Sequence, residues 1–200
     1  MMTVLKFFKT HPDVKLPSHQ TEQSACFDIA YQGYGKHVCK GYSLNNKPVE
    51  RLMEGKITLS PGDRMIVPTG LILDIPEGYS VRVHARSGLS LKQGLVLANA
   101  EGVIDSDYVH ELYILLLNIS GNSVEINNGD RIAQGELVKN QIYAIEQTAI
   151  VPGIKTSRIG GMGSTGVTTK ADTITINIPE ISNEPVIEQK RGRGRPRKNA

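Results

Sequence analysis

Four short segments of this chain combine residue types suited to phosphate and water chemistry. Arg86-Ser87-Gly88 sets a guanidinium, a hydroxyl and a flexible backbone in succession. If a helix opens there, its first backbone N–H groups and the guanidinium can all face phosphate oxygens. The same three residues also make an ordinary turn with a capping serine. GVIDSDY, residues 102–108, places Asp105 and Asp107 two positions apart ahead of an aromatic ring. On a strand that spacing puts both carboxylates on one face, where one of them can take a proton from water as a general base. The motif alone reads more readily as a turn with solvated aspartates. GDRIAQ, residues 129–134, is a turn followed by a strand in which Gln134 is polar among apolar neighbours, as a plain β-hairpin would also have it. GGMGSTG, residues 160–166, holds four glycines among seven residues. Such a segment can wrap a polyphosphate with its amides and the hydroxyls of Ser164 and Thr165, or serve as a linker.

Side chains this dispersed need rigid elements to bring them together, and the pattern between Ala25 and about Val138 predicts strands. Short apolar or alternating runs are broken by turn residues: KITLS before PGDR, MIVPTGLILDI before PEG, YSVRVHA before RSG. Pro61-Gly62-Asp63 and Pro76-Glu77-Gly78 read as turns. The continuous apolar run HELYILLLNIS predicts a strand buried on both faces. One short helix is expected, capped by Ser87 and stopped by Gly94. The fold class is therefore all-β, a barrel or jelly-roll-like domain. Residues 31–56 are polar without a clear period and read as an extended surface insertion. Residues 168–189 read mainly as linker, with TITINI a candidate strand. No internal repeat is evident.

Composition is ordinary for a globular protein, with 39% hydrophobic and 22% charged residues. Trp is absent and Phe occurs three times, so the core must rest on Val, Ile and Leu. Cys26 and Cys39 follow no metal-site spacing and read as free thiols in a reducing compartment. No apolar run approaches the roughly 18 residues of a membrane span. These features point to an intracellular, cytoplasmic protein, nuclear only if the host is eukaryotic. The net charge of +3 conceals a split. Residues 190–200 hold six basic and no acidic residues, so removing them leaves −3 on residues 1–189. A basic arm on a mildly acidic body suggests an interaction tail.

Taken in order, SACFDIAY, RSGLSLKQGL, GVIDSDY, GDRIAQ and GGMGSTG resemble the five motifs of the trimeric dUTPase family. The resemblance runs from about Leu5 to Val167 and is closest from Arg86 to Tyr108. It implies a dUTPase-like jelly-roll (β-clip) subunit, a homotrimer, and active sites built from more than one subunit. It further implies Mg2+-dependent hydrolysis of dUTP to dUMP and pyrophosphate, which limits uracil in DNA and supplies dUMP for dTMP synthesis. Asp105 matches the aspartate that activates the attacking water. Tyr108 matches the ring that packs on deoxyribose. Asn99 and the backbone at Val103 and Ile104 match the hairpin that reads uracil. Arg86, Ser87, Gly88 and Gln134 match phosphate-binding positions, and Asp28 matches an aspartate that meets magnesium through water. The same resemblance divides the chain into a barrel domain at 1–153, an active-site arm at 154–167, the linker at 168–189 and the tail at 190–200.

Three positions depart from the family pattern. Met162 stands beside Gly163, Ser164 and Thr165 where an aromatic ring is usual. The arm's arginine is displaced by one position to Arg158. His110 replaces a common glycine and reads as a solvent-facing strand residue. Two rivals remain: a dCTP deaminase-like enzyme on the same barrel, against which GVIDSDY argues, and a non-catalytic regulator that binds DNA or protein. The tail sequence KRGRGRPRK resembles an AT-hook, which would contact DNA through residues 190–200, and it reads equally as a solvated basic tail.

Overall fold

The structure, a computed structural model, describes residues 2–156. It forms two units, Met1–Ile145 and Glu146–Ala200. The first carries all twelve described strands and the one described helix, while residues 146–156 of the second contain neither. No helix among the described residues is long and apolar enough to cross a membrane.

The strands are β1 (Lys6–Lys9), β2 (Phe27–Ala30), β3 (Val38–Tyr42), β4 (Pro48–Leu52), β5 (Lys56–Leu59), β6 (Arg64–Asp74), β7 (Tyr79–Ala85), β8 (Leu95–Leu97), β9 (Gly102–Ile104), β10 (Glu111–Asn118), β11 (Val124–Asn127) and β12 (Arg131–Lys139). They pair as β4-β3-β6-β10-β8 with β1 also on β6, as β2-β12-β7-β9, and as β5-β11. All pairings are antiparallel. The two larger sheets share one core, built as composition requires from aliphatic side chains such as Ile29, Leu59, Val67, Val81, Ile114 and Ile132. The all-β expectation holds. Both Pro-Gly turns form as read, with Asp63 N donating to Ser60 O and Tyr79 N to Pro76 O.

Helix α1 (Ser87–Gln93) also forms, and Gly94 ends it at φ 66°, a left-handed conformation costly for any residue with a Cβ. Its start differs from the reading. Arg86 occupies the N-cap position, and no side chain caps the helix. The hydroxyl that returns to this turn is that of Ser90, which donates to Arg86 O.

Two further expectations are corrected. HELYILLLNIS is a strand, but within one chain only one of its faces is covered. Leu112, Ile114 and Leu116 point into the core, while Tyr113 and Leu115 stay 38% and 39% exposed. Residues 31–56 lie mostly at the surface, as expected, but are more regular than their lack of a period suggests. β3 and β4 form a hairpin that extends the sheet through β6, and Tyr31, Gln32, Cys39 and Met53 are buried. The inward positions of β3 are Cys39 and Gly41, small residues that leave no hydrophobic period to read.

Two buried groups of this segment make a pH-dependent contribution to stability. Burial pushes the Cys39 thiol and the Tyr31 phenol each up to about 12, from ordinary values of 9.0 and 10.0. Both groups are neutral when protonated, and their folded values exceed their unfolded ones. Their contribution is therefore fully present below pH about 9 and is lost as pH rises toward about 12. Urea midpoints should fall across that window, and the slope should be shallower in Cys39→Ala. An unchanged slope in that variant would remove the thiol from the account.

Candidate active site

The path from β8 to β9 leaves one sheet and enters the other through the turn at residues 98–101. Gly102 opens β9 opposite Val83 of β7. A Cβ there would lie 3.1 Å from Val83 Cβ and 3.6 Å from Asn99 Nδ2, so glycine lets this turn sit close against the sheet. Between the two sheets lies a cleft of about 360 Å³, whose lining includes Asn99, Val103, Ile104, Asp105 and Tyr108 over an apolar floor. Such a volume suits a small organic ligand. Five residues expected to act together are thus brought together.

Asp105 and Asp107 do not share a strand face. β9 ends at Ile104, and the chain turns immediately, with Tyr108 N donating to Asp105 O at 3.2 Å. The Asp105 side chain is exposed and, among the described residues, has no hydrogen-bond or ion-pair partner, so its oxygens are available to a water. Tyr108 is better anchored. Its hydroxyl donates to Glu111 O at 2.9 Å, and its ring meets the edge of His110 at 5.7 Å between centroids. His110 is exposed as expected, but it sits one residue before β10 and not on a strand, and its ring packs against that of Tyr108. The Glu111 carboxylate is itself held by Lys36 Nζ at 2.7 Å and Gly70 N at 2.9 Å. With burial as the larger cause, the Glu111 charge raises the Tyr113 phenol above its ordinary value.

A second group forms where β2, β12 and β7 run side by side. The register pairs Gln134 with Asp28 and with His84. Asp28, 5% exposed, takes Arg86 Nε at 3.2 Å on Oδ1 and Arg131 Nη1 at 2.8 Å on Oδ2. Gln134 Nε2 donates to Oδ1 at 3.3 Å, and Arg86 Nη1 donates to Arg131 O at 2.8 Å. Two guanidiniums against one carboxylate leave a net positive charge that faces partly into solvent, as an anion site requires. Arg131 was not singled out from the sequence, because nothing in GDRIAQ shows that it meets Asp28 across β2. Ser87 and Gly88 are exposed at the opening of α1, next to Arg86. Beside this group, burial, with the charges of Glu136 and Asp28 adding to it, pushes the Cys26 thiol above its ordinary value.

None of Asp28, Arg86, Arg131 or Gln134 lines the cleft that holds Asp105. One chain thus carries two separate candidate half-sites, an apolar-floored cleft beside an unpartnered carboxylate and a cluster of net positive charge. Arg158, Met162, Gly163, Ser164 and Thr165, like TITINI and the basic tail, lie outside the described residues. The dUTPase family model matches residues 53–166, more than half of the chain and both half-sites except Asp28. This chain belongs to the dUTPase family.

It is 37% identical over 155 residues to the deoxyuridine 5'-triphosphate nucleotidohydrolase of Desulfotalea psychrophila, covering 77% of this chain and 89% of that relative. A mutant dUTPase of Staphylococcus bacteriophage 80alpha, solved with dUpNHpp, shares the fold with a TM-score of 0.64 at 22% identity, covering 83% of this chain and 100% of that one. A mutant dUTPase from phage phi11 of S. aureus, described with a structural Mg(II) ion, has a TM-score of 0.59 at 20% identity over 76% of this chain and 100% of its own.

Proposed function

We propose that this chain hydrolyses dUTP, with one water, to dUMP and pyrophosphate. The observation that carries the reading is the unpartnered Asp105 carboxylate on the rim of a cleft that also holds Asn99, the backbone at Val103 and Ile104, and Tyr108. Asp105 takes a proton from the attacking water. The amide and carbonyl groups of 99–104 recognise the pyrimidine edge, and the Tyr108 ring packs on the sugar. Arg86, Gln134 and the opening of α1 at Ser87 and Gly88 hold the phosphates, joined by Arg158, Met162, Gly163, Ser164 and Thr165 of the arm. A coupled assay for pyrophosphate release tests this: dUTP should yield it and dCTP should not. Equal release from both, or deamination of dCTP, would overturn the assignment.

The two half-sites become one when copies of the chain assemble, and a homotrimer is the assembly we propose. The exposed apolar residues Ile66, Tyr113 and Leu115, which adjoin the cleft, supply a surface that a second copy would cover. Magnesium suits this site as a companion of the nucleotide. Both Asp28 oxygens already accept from guanidiniums, so the protein alone offers a dication a positive cluster. A triphosphate brings about four negative charges, and with it bound Asp28 would help hold the ion through water. When bound, Mg2+ supplies charge neutralisation on the phosphate oxygens.

Because the Tyr108 ring is fixed at its hydroxyl and along its edge, it can act as a wall against a 2′-hydroxyl. Tyr108→Ala should lower the ratio of kcat/KM for dUTP over UTP by about tenfold or more, the loss expected when a positioned steric or packing contact is removed. An unchanged ratio would assign sugar selection elsewhere. DNA contact by residues 190–200 is a separate proposal. Gel shifts with the full chain should weaken steeply from low to physiological salt and vanish on truncation after Val167. Equal affinity with and without the tail would show it to be solvated only.

A further inference from the structure

The sheet β2-β12-β7-β9 is apolar on one side and polar on the other. Phe27, Ile29, Ala133, Val81 and Val83 enter the core. The opposite side carries Asp28, Gln134 and Arg86, and beside them Cys26, Glu136 and His84. Each of these last three lies two residues along its own strand segment from one of the first three, and the register sets His84 opposite Gln134. Cys26, Glu136 and His84 have no task in the proposed hydrolysis of dUTP. Its ligating atoms (Cys26 Sγ, a His84 ring nitrogen and a Glu136 carboxylate oxygen) all lie within 4.8 Å of one another, and all three residues are half-buried. His84 Nε2 is 3.6 Å from Glu136 Oε2, while its Nδ1 is 3.7 Å from Glu101 Oε1 of the turn before β9.

We propose that Cys26, His84 and Glu136 bind one Zn2+, or a transition ion of similar chemistry such as Co2+. One thiolate, one imidazole and one carboxylate are a donor set of the Zn2+ kind, three protein ligands with a fourth position left for water. Magnesium, which demands oxygen ligands, is disfavoured by the sulfur and nitrogen. At ordinary bond lengths the ligand atoms of a tetrahedral Zn2+ stand about 3.3–3.8 Å apart. A spread reaching 4.8 Å therefore closes by side-chain movements of roughly 1 Å. Glu101 occupies the place of an outer partner, since a carboxylate on the second ring nitrogen orients a metal-bound histidine and strengthens it as a ligand. Binding replaces the thiol proton of Cys26 with the ion and releases that proton to solvent, so charge balances without a redox step. The ion would tie β12 and β7 to the start of β2, directly beside Asp28, Gln134 and Arg86. Spacing along the chain gives no sign of this set, because each ligand comes from a different strand segment.

Co2+ titration into the tag-free full chain, first dialysed against a chelator, tests the assignment. The expected result is a thiolate-to-cobalt charge-transfer band that saturates at one ion per chain, is displaced by Zn2+, and survives Cys39→Ser. Cys26→Ser should abolish the band. His84→Gln and Glu136→Gln should each weaken binding by at least tenfold, and Glu101→Gln by about 10–100-fold. Thermal denaturation of each variant before metal addition separates lost ligation from lost folding, and the unaltered chain decides the question on its own. A wild-type chain that shows no band, or a band that persists in Cys26→Ser or disappears in Cys39→Ser, would overturn the site.

Discussion

Asp105→Asn is expected to lower kcat for dUTP by about 10²–10⁴-fold while leaving nucleotide affinity nearly unchanged. The substitution keeps the shape of the side chain and removes only its basicity. Asp105 is exposed in the turn after β9, and its carboxylate supports no other described residue, so the fold has nothing to lose. The cleft floor and the Tyr108 anchor at Glu111 O are untouched. Rates from product formation, paired with calorimetric binding of a non-hydrolysable dUTP analogue, separate the two effects. Turnover close to that of the unaltered chain would remove Asp105 from the chemistry, and a matching collapse in affinity would make it a binding residue instead.

Asp28→Ala should produce the largest change in stability. The buried carboxylate is the shared acceptor for Arg86, Arg131 and Gln134, and its loss leaves two guanidiniums facing each other. Breaking a buried pair from one side costs about 3–5 kcal/mol. Both arginines retain some solvent exposure, which places this case near the lower end, about 3 kcal/mol. The KM for dUTP should rise as well, since Arg86 loses the partner that aims it. Denaturation in EDTA distinguishes this from a metal role: the loss should persist without any divalent ion. A variant as stable as the unaltered chain in EDTA, deficient only in its response to Mg2+, would mean that Asp28 serves the metal and not the arginines.

Much of this site was legible because its signals are local. Pro61-Gly62-Asp63, the helix from Ser87 and its stop at Gly94 follow from residues within a few positions of each other, and each forms. The grouping of Asn99, Val103, Ile104, Asp105 and Tyr108 was also foreseeable, since one short strand and the turns on either side of it carry them all. Features that depend on pairing across the chain were not legible. The apolar run of β10 has the composition of a doubly buried strand, yet which face is covered depends on neighbours far away in sequence. The β3–β4 hairpin hid because Cys39 and Gly41 fill its inward positions. Arg131 and the Cys26, His84 and Glu136 cluster emerge only from the register of β12 with β2 and β7. Asp105 and Asp107 show the opposite error: two-residue spacing implies a shared face only if the strand continues through both, and here it ends at Ile104, before either.

The central claim is the reaction itself, and product analysis of dUTP incubated with the full chain and Mg2+ tests it most directly. Chromatography of the nucleotides with parallel phosphate analysis should show dUMP and pyrophosphate accumulating in equal amounts, with no dUDP. Recovery of intact dUTP, or formation of dUDP with orthophosphate, would contradict it.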